Sequence, residues 1–132
     1  MTDENKPLRV LVGDDQIGVR NSLQQKAFLR NYGGLASFDF SDKADDFIAR
    51  AREGRYDALL IDLNWEDADA EREYKTGFRV LDAVKEYSPR RLLHTSEDQE
   101  LRQKGFFHGA TNCIEKYRAR SYLEEALKGG AN

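Results

Sequence analysis

Asp57-Ala58-Leu59-Leu60-Ile61-Asp62-Leu63-Asn64 constrains the fold of this chain more than any other stretch, because it holds a short strand with no polar alternation that ends in the acid Asp62. A strand with one wet face alternates apolar and polar residues; an unbroken apolar run of this length fits a strand covered on both faces, as in a parallel sheet. In such a sheet the carboxyl ends of the strands line the functional crevice. Asp62 therefore stands where ligands bind, and its meaning depends on what the other strands bring to the same rim.

Around it the chain alternates strands and helices. Leu8 to Val12 predicts a first strand, followed by Gly13 and the acid pair Asp14-Asp15. Residues 16–31 predict a helix with an apolar stripe of Val19, Leu23, Ala27 and Phe28, stopped by Gly33-Gly34. Residues 35–40 predict an edge strand with Ala36, Phe38 and Phe40 on one face. Ser41 or Asp42 is placed to cap a second helix, in which Ala44, Phe47, Ile48 and Ala51 follow helical spacing and Gly54 ends the run. Residues 65–75 are mostly charged, lack an apolar face and predict an exposed loop.

A third helix opens at Thr76 or Gly77, buries Val80, Leu81, Val84 and Tyr87, and ends at Ser88-Pro89. Residues 91–94 predict strand four, closing in Thr95-Ser96, and 97–107 a weakly amphipathic helix. Residues 110–114 form strand five and lead to Glu115-Lys116. The final helix has a capping-box spacing, Ser121 to Glu124, with Leu123, Ala126 and Leu127 on its apolar side. Five strands alternating with five helices predict an α/β fold: a flavodoxin-like doubly wound parallel sheet in the order 2-1-3-4-5. Residues 8–128 form the domain, 1–7 a flexible lead-in and 129–132 a tail.

At 132 residues one hydrophobic core is expected and no separate output module. A formal charge of −3 gives no general attraction to nucleic acid. The only cysteine, Cys113, excludes an intramolecular disulfide and a Cys-x-x-Cys pair, which suits the cytoplasm. No apolar run is long enough to span a bilayer, so no membrane partner is expected.

In the 2-1-3-4-5 order Asp14, Asp15 and Asp62 converge, with Thr95 and Lys116 approaching from the other side. Three carboxylates repel unless a cation compensates them, and an all-oxygen set suits Mg2+. A carboxylate beside such a metal can attack an activated phosphoryl group; Lys116 and the Thr95 hydroxyl can pair with the phosphoryl oxygens. Singly, each residue has a plainer reading: an Asp pair or Thr-Ser before a helix is usually a cap, and a lone lysine is usually solvated. It is their joint occurrence at the ends of strands one, three, four and five that favours the chemical reading. His94 and His108 lie in no partnered motif and receive no role. Nucleophile-elbow, dinucleotide and Walker motifs are absent.

The motifs around Asp14-Asp15, Asp62, Thr95-Ser96 and Lys116 resemble the receiver domain of two-component response regulators, over about Leu8 to Leu127. The resemblance implies that Asp62 is the phosphoacceptor. It makes Asp15 a direct ligand of Mg2+ and Asp14 a ligand through water, with Asp62 and the Asn64 backbone carbonyl completing the metal site, and it makes the Thr95 hydroxyl the switch that moves onto the phosphate, with which Lys116 pairs. It implies a histidine kinase or histidine phosphotransfer protein as donor, an unidentified downstream protein as target and room for a homodimer, with a signalling rather than enzymatic role. Asn64 and Glu97 take the positions that tune phosphoryl lifetime; both are polar and can orient water, so a short-lived phosphoprotein is expected.

Three positions depart from the family. Cys113 stands where the switch aromatic is usual, and Tyr117 where a cis proline commonly follows the lysine. No proline follows Asp62 closely, and the first glycine, Gly77, comes fifteen residues on. That spacing implies roughly seven inserted residues, either a tolerated surface loop or a partner contact. Cys113, Tyr117 and the insertion support a second reading, a pseudo-receiver regulated by binding alone. An aspartyl phosphatase fits less well, because Asn64 removes its Asp-x-Asp pair.

Overall fold

Every residue of Ala58-Leu59-Leu60-Ile61-Asp62 is buried, which requires cover on both faces of the strand they form. In the computed structural model, residues 8–14, 22–62, 76–88, 90–95, 103–104, 108–115 and 120–128 are described. Five strands, β1 (Arg9–Gly13), β2 (Ser37–Ser41), β3 (Ala58–Asp62), β4 (Arg90–Thr95) and β5 (Asn112–Glu115), pair in parallel in the order β2-β1-β3-β4-β5. This is the predicted order, with β2 at an edge. Among the described residues the helices include α1 (Ser22–Tyr32), α2 (Ala44–Arg52), α3 (Thr76–Val84) and α4 (Arg120–Leu127).

Because side chains alternate along a strand, two cores form, one on each face of the sheet. Leu11, Leu59, Ile61 and Leu93 pack with Ala44, Phe47 and Ala51 of α2 and with Phe78, Val80, Leu81 and Val84 of α3. On the opposite face Val10, Val12, Leu60, Leu92 and Ile114 meet Phe28 and Tyr32 of α1 and Leu123, Ala126 and Leu127 of α4. Phe28 holds the edge strand to α1, with ring centroids 5.0 Å from Phe38 and 5.6 Å from Phe40, both edge-on.

Local differences from the sequence expectation have simple causes. Leu23 is 76% exposed and Ala27 is also exposed, while Phe28 and Tyr32 carry the buried face of α1. Leu23 lies five positions from Phe28, about 140° around a helix, so the two cannot both face the sheet. Val19 falls outside the described residues. Lys43, not Ser41 or Asp42, is the N-cap of α2, without a side-chain cap bond. The Ser41 hydroxyl is engaged instead with Asp46 Oδ2 at 2.7 Å and the Lys43 carbonyl at 3.1 Å. Gly54, at φ +74°, ends the helix as expected.

Tyr87 was expected inside but lies beyond the end of α3, 41% exposed, with the Arg52 guanidinium 5.6 Å from its ring centre. Phe78, absent from the expected stripe, is buried in its place. Ser121 is the second residue of α4 rather than its N-cap, and Glu124 accepts a hydrogen bond from Lys128 Nζ at 2.8 Å, one turn on. β5 runs two residues later at its start and one later at its end than expected. Thr111 is tied to β4 before the strand begins: its backbone N–H donates to the Arg91 carbonyl at 2.7 Å, and its hydroxyl accepts the Arg91 backbone N–H at 2.8 Å. Of the helix expected at 97–107, residues 103 and 104 are described, both helical, and the His108 N–H donates to the Lys104 carbonyl at 3.0 Å.

Candidate functional site

The site is assembled by strand register. Gly13 pairs with Ile61, so Asp14 stands one residue further along beside Asp62, and its N–H still donates to the Ser41 carbonyl at 3.1 Å. On the other side of β3, Asp62 pairs with His94, and Thr95 pairs with Glu115. The carboxyl rim therefore carries, in spatial order, Asp14, Asp62 and His94 on one level, with Thr95 and Glu115 one residue beyond. Lys116 follows Glu115 in sequence; it, Asp15, Asn64 and Glu97 lie outside the described residues. So do Tyr117 and residues 65–75.

Adjacent parallel strands stand about 4.8 Å apart, and unit charges at that spacing repel by about 3 kcal/mol at an effective dielectric of 20. An ionised Asp14–Asp62 pair thus favours a cation nearby. Asp62 is only 3% exposed, since β4 and β1 flank it and both faces of β3 are covered, so a reagent can reach it only from the rim. Among the described residues no group of three or more His, Cys, Asp or Glu is placed to hold a metal ion. Asp14 and Asp62 are the two expected ligands within that set. Their donors are carboxylate oxygens, the chemistry a hard divalent cation takes.

Cys113 lies on β5 in register with Leu93 and is partly buried against the α2–α3 core, opposite in alternation to Ile114. The thiol thus occupies a core-facing place.

His108, given no role from sequence, has specific partners. Its Nδ1 lies 2.9 and 3.1 Å from the two Asp82 oxygens, and its ring stacks on Phe78 at 4.7 Å. The only signal in the sequence was the spacing of Phe78 and Asp82, which places both on one side of α3.

No protein-family model matches the chain. The transcriptional regulatory protein ResD of Bacillus subtilis is 27% identical over 116 residues, 86% of this chain and 44% of that protein. The chain thus spans less than half the length of this relative. Among solved structures, the NarL signal receiver domain from Mycobacterium tuberculosis superposes with a TM-score of 0.70 at 22% identity, covering 96% of this chain and 97% of that one. The chain has the response-regulator receiver fold. A second receiver-fold structure, a response regulator from Burkholderia pseudomallei, superposes at 0.67 with 18% identity, covering 94% of this chain and 68% of that one. It was solved with a phosphorylated aspartic acid, a calcium ion and citrate. Among the described residues of this receiver fold, no helix is long and apolar enough to cross a membrane.

Proposed function

We propose that the chain is a phosphoacceptor receiver of two-component signalling, modified on Asp62 by a histidine kinase or a histidine phosphotransfer protein. The observation that carries this reading is the placing of Asp62 at the carboxyl end of a fully buried strand, level with Asp14, on the receiver fold. A carboxylate oxygen of Asp62 attacks phosphorus, the P–N bond of the phosphohistidine breaks, and the departing imidazole nitrogen keeps the electron pair. Asp14, Asp15, Asp62 and the Asn64 carbonyl would hold Mg2+. A bound magnesium ion supplies positive charge to phosphoryl oxygens as negative charge develops on them. Lys116 pairs with a phosphoryl oxygen from the β5 side, and Thr95 donates its hydroxyl to another.

The role is signalling through protein contacts in the cytoplasm rather than turnover of a substrate. Asn64 and Glu97, both polar, orient water toward the acyl phosphate, so the phosphorylated form is short-lived; a half-life of many hours at neutral pH with magnesium present contradicts this.

One observation favours a second reading. Cys113 fills the core-facing place of the switch aromatic, which supports a pseudo-receiver that works by binding without phosphorylation. Beryllofluoride, which mimics a phosphoryl group on a carboxylate, separates the two. With magnesium, a bound fluorine resonance is expected for the wild type and none for Asp62→Asn. A wild type that shows no bound signal supports the pseudo-receiver.

A further inference from the structure

β2 ends the sheet among the described residues, so the direction of its backbone groups decides what that edge can bind. Two hydrogen bonds fix this direction. The Ser37 N–H donates to the Leu8 carbonyl at 2.7 Å, and the Ser41 carbonyl accepts the Asp14 N–H at 3.1 Å. Backbone groups alternate along a strand, so Ser37, Asp39 and Ser41 turn theirs toward β1, while Phe38 and Phe40 turn theirs outward. Sheet edges are commonly protected by a bulge, a proline or a lysine. β2 has none of these: Ser37 to Ser41 pairs residue for residue with Arg9 to Gly13, and its sequence is Ser-Phe-Asp-Phe-Ser.

Protection comes instead from α2. Arg50 Nη1 donates to the outward Phe40 carbonyl at 3.0 Å. The guanidinium is held there from both sides, with Nη1 3.6 Å from Asp46 Oδ2 and Nη2 3.9 Å from Asp39 Oδ2, and Nη2 donates to the Tyr56 hydroxyl at 3.3 Å. The Tyr56 hydroxyl donates in turn to Asp39 Oδ2 at 2.8 Å.

The same edge of a second copy is the natural partner for such a strand, because antiparallel pairing about a two-fold axis is self-complementary. In the register that uses every outward group, Phe38 exchanges hydrogen bonds with Phe40 of the second copy, and Asp39 faces Asp39. The incoming Phe38 N–H then needs the Phe40 carbonyl that Arg50 already occupies. Two like charges also stand directly opposed, which disfavours the pair. We propose that Arg50 and Asp39 together guard the β2 edge, keeping it from pairing with a second copy of this chain. The guard is independent of whether Asp62 accepts a phosphoryl group.

Residue-resolved amide hydrogen exchange of the full chain, followed by NMR over a series of protein concentrations, tests this. In the wild type the Phe38 and Phe40 amides are expected to exchange faster than that of Ser41, at rates independent of concentration. In the double variant Asp39→Asn, Arg50→Met, they are expected to slow by about tenfold or more as concentration rises. The Ser41 amide, bonded to β1, reports that the fold is kept. Concentration-dependent protection of Phe38 and Phe40 in the wild type overturns the proposal. So does a folded double variant in which both amides stay fast, whether it remains a monomer or associates through another face. If the double variant loses Ser41 protection, Arg50→Met alone decides: slowing of the Phe38 amide with concentration supports the guard, and its absence overturns it.

Discussion

At the scale of single residues, Asp62 and Cys113 pull in opposite directions. Asp62 occupies the place its strand pattern demanded, while Cys113 sets a small thiol where the proposed reading expects an aromatic ring. Side chains away from the rim show how burial alone sets chemistry. Burial pushes the Tyr32 phenol above its ordinary value of 10.0. Below about pH 10 the phenol is neutral in both the folded and unfolded chain; above it the unfolded state gives up its proton first, so stability falls as pH rises toward the folded value. Tyr32→Phe keeps the ring, which packs 4.8 Å from Phe28, and removes the ionisation. Chemical denaturation at a series of pH values is expected to show a shallower loss of stability above about pH 10 in this variant. An unchanged slope contradicts the assignment. Tyr56, also raised by burial and by its hydrogen bond to Asp39, keeps part of the slope in both proteins.

At the scale of elements, legibility followed how strongly the core constrained each one. The unbroken apolar run of β3 and the stripes of α2 and α4 could be read directly, because the buried faces of these elements are made by apolar side chains at regular spacing. α1 could be read only in part: Phe28 lies inside as expected, but Leu23 and Ala27 are apolar and yet lie on the outer side, and only the sheet shows that Tyr32 faces inward. The start of β5 was misread because Thr111 bonds to Arg91, a contact twenty residues apart that no local pattern encodes. The stripe on α3 was hidden for the same reason: its partner, His108, is distant in sequence. Two glycines test how tightly such turns are built. Gly54 has φ +74° with nothing within 4 Å of an added Cβ, whereas Gly109 has φ +103° and meets Lys85. Gly54→Ala is expected to cost about 1–2 kcal/mol from backbone strain alone, and Gly109→Ala about 1–3 kcal/mol more through the clash with α3. Urea unfolding measures both; a Gly54→Ala variant as destabilised as Gly109→Ala contradicts the packing described for that turn.

For the whole molecule, the sheet order brings the ends of β1, β3, β4 and β5 to one rim, and that order was legible because alternating strands and helices leave few topologies. Of the residues expected at the site, Asp14, Asp62 and Thr95 are described, and register brings all three to the rim; their roles belong to the proposed function. The consequences of a thiol at position 113 were not legible, because they depend on three-dimensional packing. The central claim is that Asp62 accepts a phosphoryl group with magnesium. The direct measurement is the intact mass of the protein after incubation with acetyl phosphate, with and without magnesium, in the wild type and in Asp62→Asn. A single phosphoryl adduct confined to the wild type with magnesium is the predicted result. No adduct on the wild type, or one that survives Asp62→Asn, contradicts it.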